Sequence, residues 1–162
     1  MARDFDIIET KRLLLRGIDE SDAELIVQWR SVPTVYQYFK APHQISIEEH
    51  INWYRNRYLE NVNRFDWICI EKESGNRIGV FGLCKEGKKV EVNYLLSPEG
   101  QHKGYAVEAI RGLIEYASKM WNNKQVLAEI HCENQPSIAL VEKLGFELIS
   151  RSGPFVIYGK EV

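Results

Sequence analysis

The sequence predicts a single α/β (α+β) domain spanning residues 1–162: a mixed central sheet of about seven strands flanked by about four helices. Three observations predict it. Apolar residues alternate with period two from Phe65 to Ser97, interrupted only at Ser74-Gly75-Asn76 and Glu86-Gly87-Lys88, the pattern of an antiparallel meander with strands over 65–72, 77–85 and 89–96. The period then changes, and Ala106, Ile110, Leu113, Ala117 and Met120 or Trp121 recur at helical spacing over 104–121. Strand and helix patterns alternate after that, and the order βαα-βββ-α-β-α-ββ calls for one mixed sheet with helices packed against it.

Each element has its own local reason. Lys11 to Arg16 reads as a short strand. A helix follows over 19–30, with Asp19 or Ser21 as N-cap, an apolar stripe of Ala23, Leu25, Ile26 and Trp29, and Pro33 as its stop. Tyr36 to Phe39 is a short aromatic element before Ala41-Pro42. Ser46 caps the next helix and Glu49, three residues on, completes a capping box; Ile47, Ile51, Tyr54 and Tyr58 form its apolar face. Asn122-Asn123 closes the long helix, and 125–132 is a strand. Asn134 then caps a short helix with Pro136 in its first turn and Gly145 beyond its end, and strands over 146–151 and 155–160 finish the chain.

Composition narrows the classes of function. The 162 residues carry a formal net charge of −2, so no overall basic field draws the protein to nucleic acid. No apolar run approaches membrane-spanning length, and Met1–Glu9 has no leader-like apolar core. Cys69, Cys84 and Cys132 are odd in number and lack CxxC spacing, which predicts reduced thiols that pack in the core, a cytoplasmic setting and no metal site. Cys69 and Cys84 fall on neighbouring strands, but two thiols make a poor metal site. A monomer or a homodimer fits equally.

The most informative stretch is Ser97 to Ala106, where a strand passes through a glycine-bearing turn directly into the long helix. Such a junction leaves backbone N–H groups unpaired at the positive end of the helix dipole, a cradle for an anion. Three ligands fit in principle. A nucleoside triphosphate site needs G-x-x-x-x-G-K-[ST], which is absent. A dinucleotide site needs G-x-G-x-x-G early in a βαβ unit, whereas this turn follows a meander. The third is the pyrophosphate of coenzyme A.

Gln101-His102-Lys103-Gly104-Tyr105-Ala106 resembles the Q/R-x-x-G-x-G/A motif of the GNAT N-acetyltransferase superfamily, and two companions follow in order: Asn134-Gln135-Pro136-Ser137 and Glu142-Lys143-Leu144-Gly145-Phe146. The likeness runs over essentially the whole chain, from Thr10–Arg16 and Trp29-Arg30 onward. It implies acetyl-CoA as co-substrate. Backbone groups of Leu95 and Leu96 would bond the pantetheine arm where their strand splays from the next. Amides from Gln101, His102 and Lys103 through Gly104, Tyr105 and Ala106 would hold the pyrophosphate, and Asn134 would reach the arm from the other side. Gly104 lets the backbone approach a phosphate with no Cβ in the way.

The implied reaction is direct attack of a free amine on the acetyl thioester. It needs a base for the ammonium and a donor for the departing thiolate. At pH 7 a lysine-like amine carries a handicap of about 4.6 kcal/mol and an α-amine about 1.4 kcal/mol, which favours a terminal α-amine or an aminosugar. Glu91, on the same strand face as Asn93 and Leu95, is the candidate base; the competing reading is an exposed glutamate paired with a lysine. His131 is a second candidate base, but at a strand end it reads more readily as structural. Many members carry a Tyr in the helix after the Asn, but here that position is Val141. The segment looks more like the Rim-type subgroup, which acetylates protein N-termini, and this makes Ser137 the candidate thiolate donor. Its competing role is bonding backbone in the first helical turn. The aromatic and arginine-rich segment 29–58, with Trp29, Arg30 and Tyr36, is where the acceptor would bind; stacking and arginine there also suit a nucleotide-linked aminosugar. A coenzyme A-binding sensor without turnover is the reading from another class.

Overall fold

In the computed structural model, which describes residues 5–162, these patterns become eight strands and five helices. Residues 1–4, the head of the Met1–Glu9 stretch, lie outside the described residues. The strands are β1 (Ile8–Glu9), β2 (Leu13–Gly17), β3 (Arg64–Glu71), β4 (Arg77–Glu86), β5 (Lys89–Leu96), β6 (Gln125–His131), β7 (Glu147–Ser152) and β8 (Phe155–Glu161). The helices are α1 (Ala23–Arg30), α2 (Pro33–Tyr36), α3 (Ile47–Trp53), α4 (Tyr105–Trp121) and α5 (Gln135–Lys143). The sheet order is β1-β2-β3-β4-β5-β6-β8-β7, antiparallel throughout except for β5 and β6.

The mixed α/β class holds, with one strand and one helix more than expected. The extra strand, β1, is two residues long, too short to show a period. The extra helix is the single turn α2, with Pro33 in its first turn. Proline there ends α1 and, with its φ already helical, also starts the next turn.

The two sheet faces bury different sets of residues. One core joins Leu13, Leu15, Trp67, Phe81 and Leu83 of the sheet to Ala109, Ile110, Leu113 and Ala117 of α4 and Val141 of α5. A smaller one gathers Ile18, Ile26, Trp29, Tyr54, Tyr58 and Ile68. The capping box at Ser46 and Glu49 forms as expected. After α3 the chain makes a π-helical turn over Tyr54–Tyr58. It carries both tyrosines inward, each 1% exposed, with their rings stacked at 5.5 Å, whereas Ile47, expected on that apolar face, stays exposed. Met120 is likewise exposed, and of the three cysteines only Cys69 is fully buried while Cys132 lies at the surface. Cys69 and Cys84 do sit on the adjacent strands β3 and β4, but face Gly79 and Arg64 respectively, at opposite ends of the ladder. Among the described residues no helix is long and apolar enough to cross a membrane.

Asp22, at the head of α1, is fully buried and held by three groups. Arg16 binds it in two parallel bonds of 2.9 Å, Arg77 adds one of 3.0 Å, and the Asp19 amide donates another. Burial pushes the carboxyl pKa up; the bonds from Arg16, the Asp19 amide and Arg77 outweigh it, and the pKa lies below its ordinary 3.8. The sign follows: the stability this carboxylate contributes is present above pH 3.8 and is lost as pH falls through the lower folded value. Asp22→Asn is expected to cost about 3 kcal/mol at pH 7, the low end for a broken buried pair because both arginines are partly solvated. Urea midpoints measured against pH should show that gap closing as the pH drops below about 3.8.

Candidate active site

The parallel pairing of β5 with β6 runs only through Lys89↔Gln125, Val90↔Val126 and Glu91↔Leu127. Beyond Glu91, β5 stays paired with β4 to its end at Leu96 and β6 stays paired with β8 to His131, so the two halves of the sheet diverge. The resemblance implies this splay, and the register shows it directly.

The splayed end of β5 leads through a 3-10 turn at Pro98–Gly100, capped by Ser97, into the Gln101–Gly104 turn and α4. His102 and Gly104 both have left-handed backbones, with φ of 63° and 78°. Gly104 is the N-cap of α4 and no side chain caps the helix, unlike α3, capped by Ser46, and α5, capped by Asn134. The first-turn amides of Tyr105, Ala106 and Val107 are therefore open at the positive end of a 17-residue helix. Alternating left-handed residues turn successive N–H groups to one side, which makes an anion-binding concavity. Gln101 is the exception in the turn, since its own N–H donates to the Pro98 carbonyl.

This turn is braced from behind. Arg12 donates from Nη1 to the Lys103 carbonyl at 2.8 Å and from Nε to Glu108 at 2.7 Å, while its guanidinium lies over the Tyr105 ring. Glu108 also accepts from Thr10 and from the Arg12 amide. The Tyr105 hydroxyl donates to Glu71. Tyr105, expected to offer its backbone, thus also anchors the turn to β3.

Across the splay, the Tyr94 hydroxyl meets Ser137 Oγ at 2.9 Å. The Ser137 hydroxyl therefore faces β5, and its backbone N–H is the group that the Asn134 side chain accepts. Asn134 spends its carboxamide oxygen on capping α5. Burial keeps the Tyr94 phenol above its ordinary pKa, against the lowering effect of Ser137, so at neutral pH it is protonated and able to donate. Sequence reasoning missed Tyr94; it noted the absent phenol at Val141, which is buried in the core. The available signal was the alternation that puts Tyr94 on the opposite face of β5 from Glu91.

On the other sheet face a cavity of about 900 Å³ lies between α1, α3, the π-helical turn and the sheet. Asn93 and Leu95 form part of its sheet wall, and Arg30, His50, Trp53 and Arg64 line it from around. Glu91 lies one step further along the same strand face, at the last paired position before the splay. Its carboxyl is half-buried and makes no ion pair among the described residues. Burial first, then the charge of Glu129, push its pKa up, against the lowering charge of Lys40. Lys40 pairs with Glu129 instead, at 3.0 Å. His131 is engaged elsewhere: its Nδ1 takes the Glu133 amide and its ring packs on Tyr38 and Phe155. Of the three expected acceptor-side residues, Arg30 lines the cavity, Trp29 is buried in the smaller core and Tyr36 lies outside the lining. Leu96 packs against the larger core.

The match to a family model decides the class: residues 12–147 fit the acetyltransferase (GNAT) domain. The chain belongs to the GNAT acetyltransferases. Among its relatives, the N-acetyltransferase p20 of Bacillus licheniformis is 31% identical over 88% of this chain and 83% of its own length. The N-acetyltransferase YoaA of Bacillus subtilis is 28% identical over 88% and 84%. Three solved structures share the fold at lower identity. RimL, a ribosomal L7/L12 α-N-protein acetyltransferase in complex with coenzyme A, superposes with a TM-score of 0.83 at 18% identity, covering 97% of this chain and 98% of its own. The spermidine N-acetyltransferase of Vibrio cholerae, with coenzyme A and spermine, gives 0.79 at 20%, covering 93% and 95%. FdhC, a nucleotide-linked sugar GNAT, gives 0.82 at 20%, covering 96% and 90%. Family and fold make the GNAT chain an acyltransferase of the N-acetyltransferase type.

One cavity residue has an unusual titration. His50 is 3% exposed and its Nδ1 has no hydrogen-bond partner among the described residues. Burial, then the charges of Arg30 and Arg64, bring its pKa down from 6.5 to about 4. The native imidazole stays neutral where the unfolded one takes a proton. Its contribution is therefore whole above pH 6.5 and declines as pH falls toward 4, by up to roughly 3 kcal/mol. In His50→Phe the stability-versus-pH curve should flatten across that interval, and a proton NMR titration of the wild type should show one histidine protonating only near pH 4.

Proposed function

We propose that this GNAT enzyme moves the acetyl group of acetyl-CoA to a primary amine, the α-amine of a protein N-terminus or the amine of a small molecule. The observation that carries the reading is the open set of amides at the uncapped N-terminus of α4, directly after the splayed end of β5. The residues there fit a pyrophosphate: the His102–Val107 segment offers donors and a helix dipole, and Gly104 adds no side chain over them. Acetyl-CoA, when bound, supplies an activated acyl group that an amine attacks without a covalent enzyme intermediate.

The chain's own residues then divide the work. Of the two β5 residues assigned to the extended arm, Leu96 has its backbone groups on the side released from β6 by the splay, whereas those of Leu95 face Val80 of β4. Glu91, with its pKa pushed up by burial, accepts the ammonium proton. The Tyr94–Ser137 pair offers a hydroxyl donor to the leaving sulfur and restores by another route the phenol that Val141 lacks. The Rim-type assignment rests on Ser137 ahead of the Glu142–Phe146 helix end, and the RimL likeness in fold is consistent with it. FdhC shares the fold as well, so a nucleotide-linked aminosugar remains the alternative acceptor.

Acetyl-CoA is expected to raise the melting temperature of the wild type, and Gly104→Glu, which brings a carboxylate to the cradle, should abolish the rise; no shift at saturating acetyl-CoA would sink the proposal. Turnover is read as thiol release with N-terminal peptides, aminosugars and polyamines. With the best acceptor, Tyr94→Phe and Ser137→Ala should each lower kcat by about tenfold or more with the KM for acetyl-CoA unchanged. Glu91 works deprotonated, so kcat/KM should fall as the pH drops through its raised pKa. Glu91→Gln should lose both rate and that acid limb.

A further inference from the structure

Two arginines line the cavity without an ion pair among the described residues, and of these Arg57 is exposed while Arg30 is half-buried; five others are tied down. Arg12 has Glu108, Arg16 and Arg77 share Asp22, Arg55 has Glu20, and Arg64 has Asp66. Arg30 is half-buried and lines the cavity with no hydrogen bond or ion pair among the described residues. Its one close partner is the face of Phe39, 5.2 Å from the guanidinium carbon. Taking a guanidinium from water without a carboxylate is unfavourable, and burial together with neighbouring Arg64 weakens its hold on the proton. A place in the last turn of α1 offers some dipole compensation, but no guanidinium N–H reaches a carbonyl of that helix.

Of the cavity's own carboxylates, Asp66 is near enough for its charge to favour the guanidinium, yet neither it nor Glu49 pairs with Arg30. Asp66 receives Arg64 Nε at 2.9 Å, and Glu49 receives the Ser46 amide in the capping box. Beside Arg30, His50 presents an unpartnered Nδ1 on a side chain that is 97% buried, given its 3% exposure. A neutral imidazole can place its one N–H there. Among the described residues, a guanidinium without an ion pair and an imidazole whose buried Nδ1 has no partner thus line the same cavity.

We infer that the amine acceptor carries an anionic group, a carboxylate or a phosphate, which the Arg30 guanidinium binds beside His50. The inference rests on the acetyl-transfer reading above and narrows its acceptor. A guanidinium meets either anion with two parallel donors, and a desolvated wall strengthens the pairing. A polyamine finds the opposite of what it needs here, because the cavity's carboxylates are already engaged.

The test uses the full chain saturated with coenzyme A, so that the α4 cradle is filled. Calorimetry compares glycylglycine with its C-terminal amide, glucosamine 6-phosphate with glucosamine, and spermidine alone. In at least one pair the anionic member should bind tighter than its neutral partner by about tenfold or more, and the pair that responds tells carboxylate from phosphate. Arg30→Met should erase the difference and Arg30→Lys should keep part of it. The apo melting temperature of Arg30→Met should be unchanged or raised, which separates lost recognition from lost folding. Neutral members or spermidine binding as tightly as the anionic ones, no binding of either anionic member, or a preference that survives in Arg30→Met would each overturn the assignment. Thiol release from acetyl-CoA in parallel mixtures keeps the two readings apart. Turnover without charge preference overturns the role of Arg30 alone, whereas charge-selective binding with no turnover overturns acetyl transfer alone.

Discussion

Strand β5 has two neighbours of unequal hold. It pairs with β4 along its whole length and with β6 at only three positions, ending at Glu91↔Leu127. Each strand follows the twist of its long antiparallel partner, so the parallel seam between the two halves gives way first. The α4 side of the candidate site is placed by that opening. The freed backbone of β5, the turn that continues from it, the α4 N-terminus and the Tyr94–Ser137 bridge all sit along the seam. The Glu91 carboxyl stands at the point where pairing stops.

A seam that opens has to be held at a fixed width, and polar clamps do this at both ends. Arg12, Glu108 and Thr10 tie the turn before α4 to the β1–β2 hairpin. Tyr94 and Ser137 tie β5 to α5 at 2.9 Å. On the opposite face Asp22 locks the head of α1 to β2 and β4 through Arg16 and Arg77, which fixes where α1 delivers Arg30. The α4 turn and the Arg30 cavity are thus set by separate contacts, consistent with a family whose members share a fold while acting on different acceptors.

Local chemistry was legible in the residues themselves. The Ser46–Glu49 capping box, the long helix stripe, the Asn134 cap and Gly145 beyond the end of α5 each follow from interactions within a few positions of the chain. What escaped depends on contacts between distant segments. Tyr94 reads as an ordinary strand residue until α5 brings Ser137 to it. Trp29 and Arg30 are neighbours in a segment rich in aromatics and arginines, and only the helix's rotation sends one into the core and the other into the cavity. Ile47 keeps helical spacing with Ile51 and Tyr54 but opens α3 in its first turn and stays exposed, and β1 is too short to show any period.

The central claim is that the α4 turn and the freed end of β5 together receive the acetyl donor. Backbone amide shifts in a titration with acetyl-CoA test it most directly, because each reporting N–H is one of the groups in question. Large shifts should be confined to His102–Val107 and to β5 beyond Glu91, with the amides of α1 and α3 nearly still. Shifts centred on α1, α3 and the arginine-lined cavity, with His102–Val107 unmoved, would contradict it.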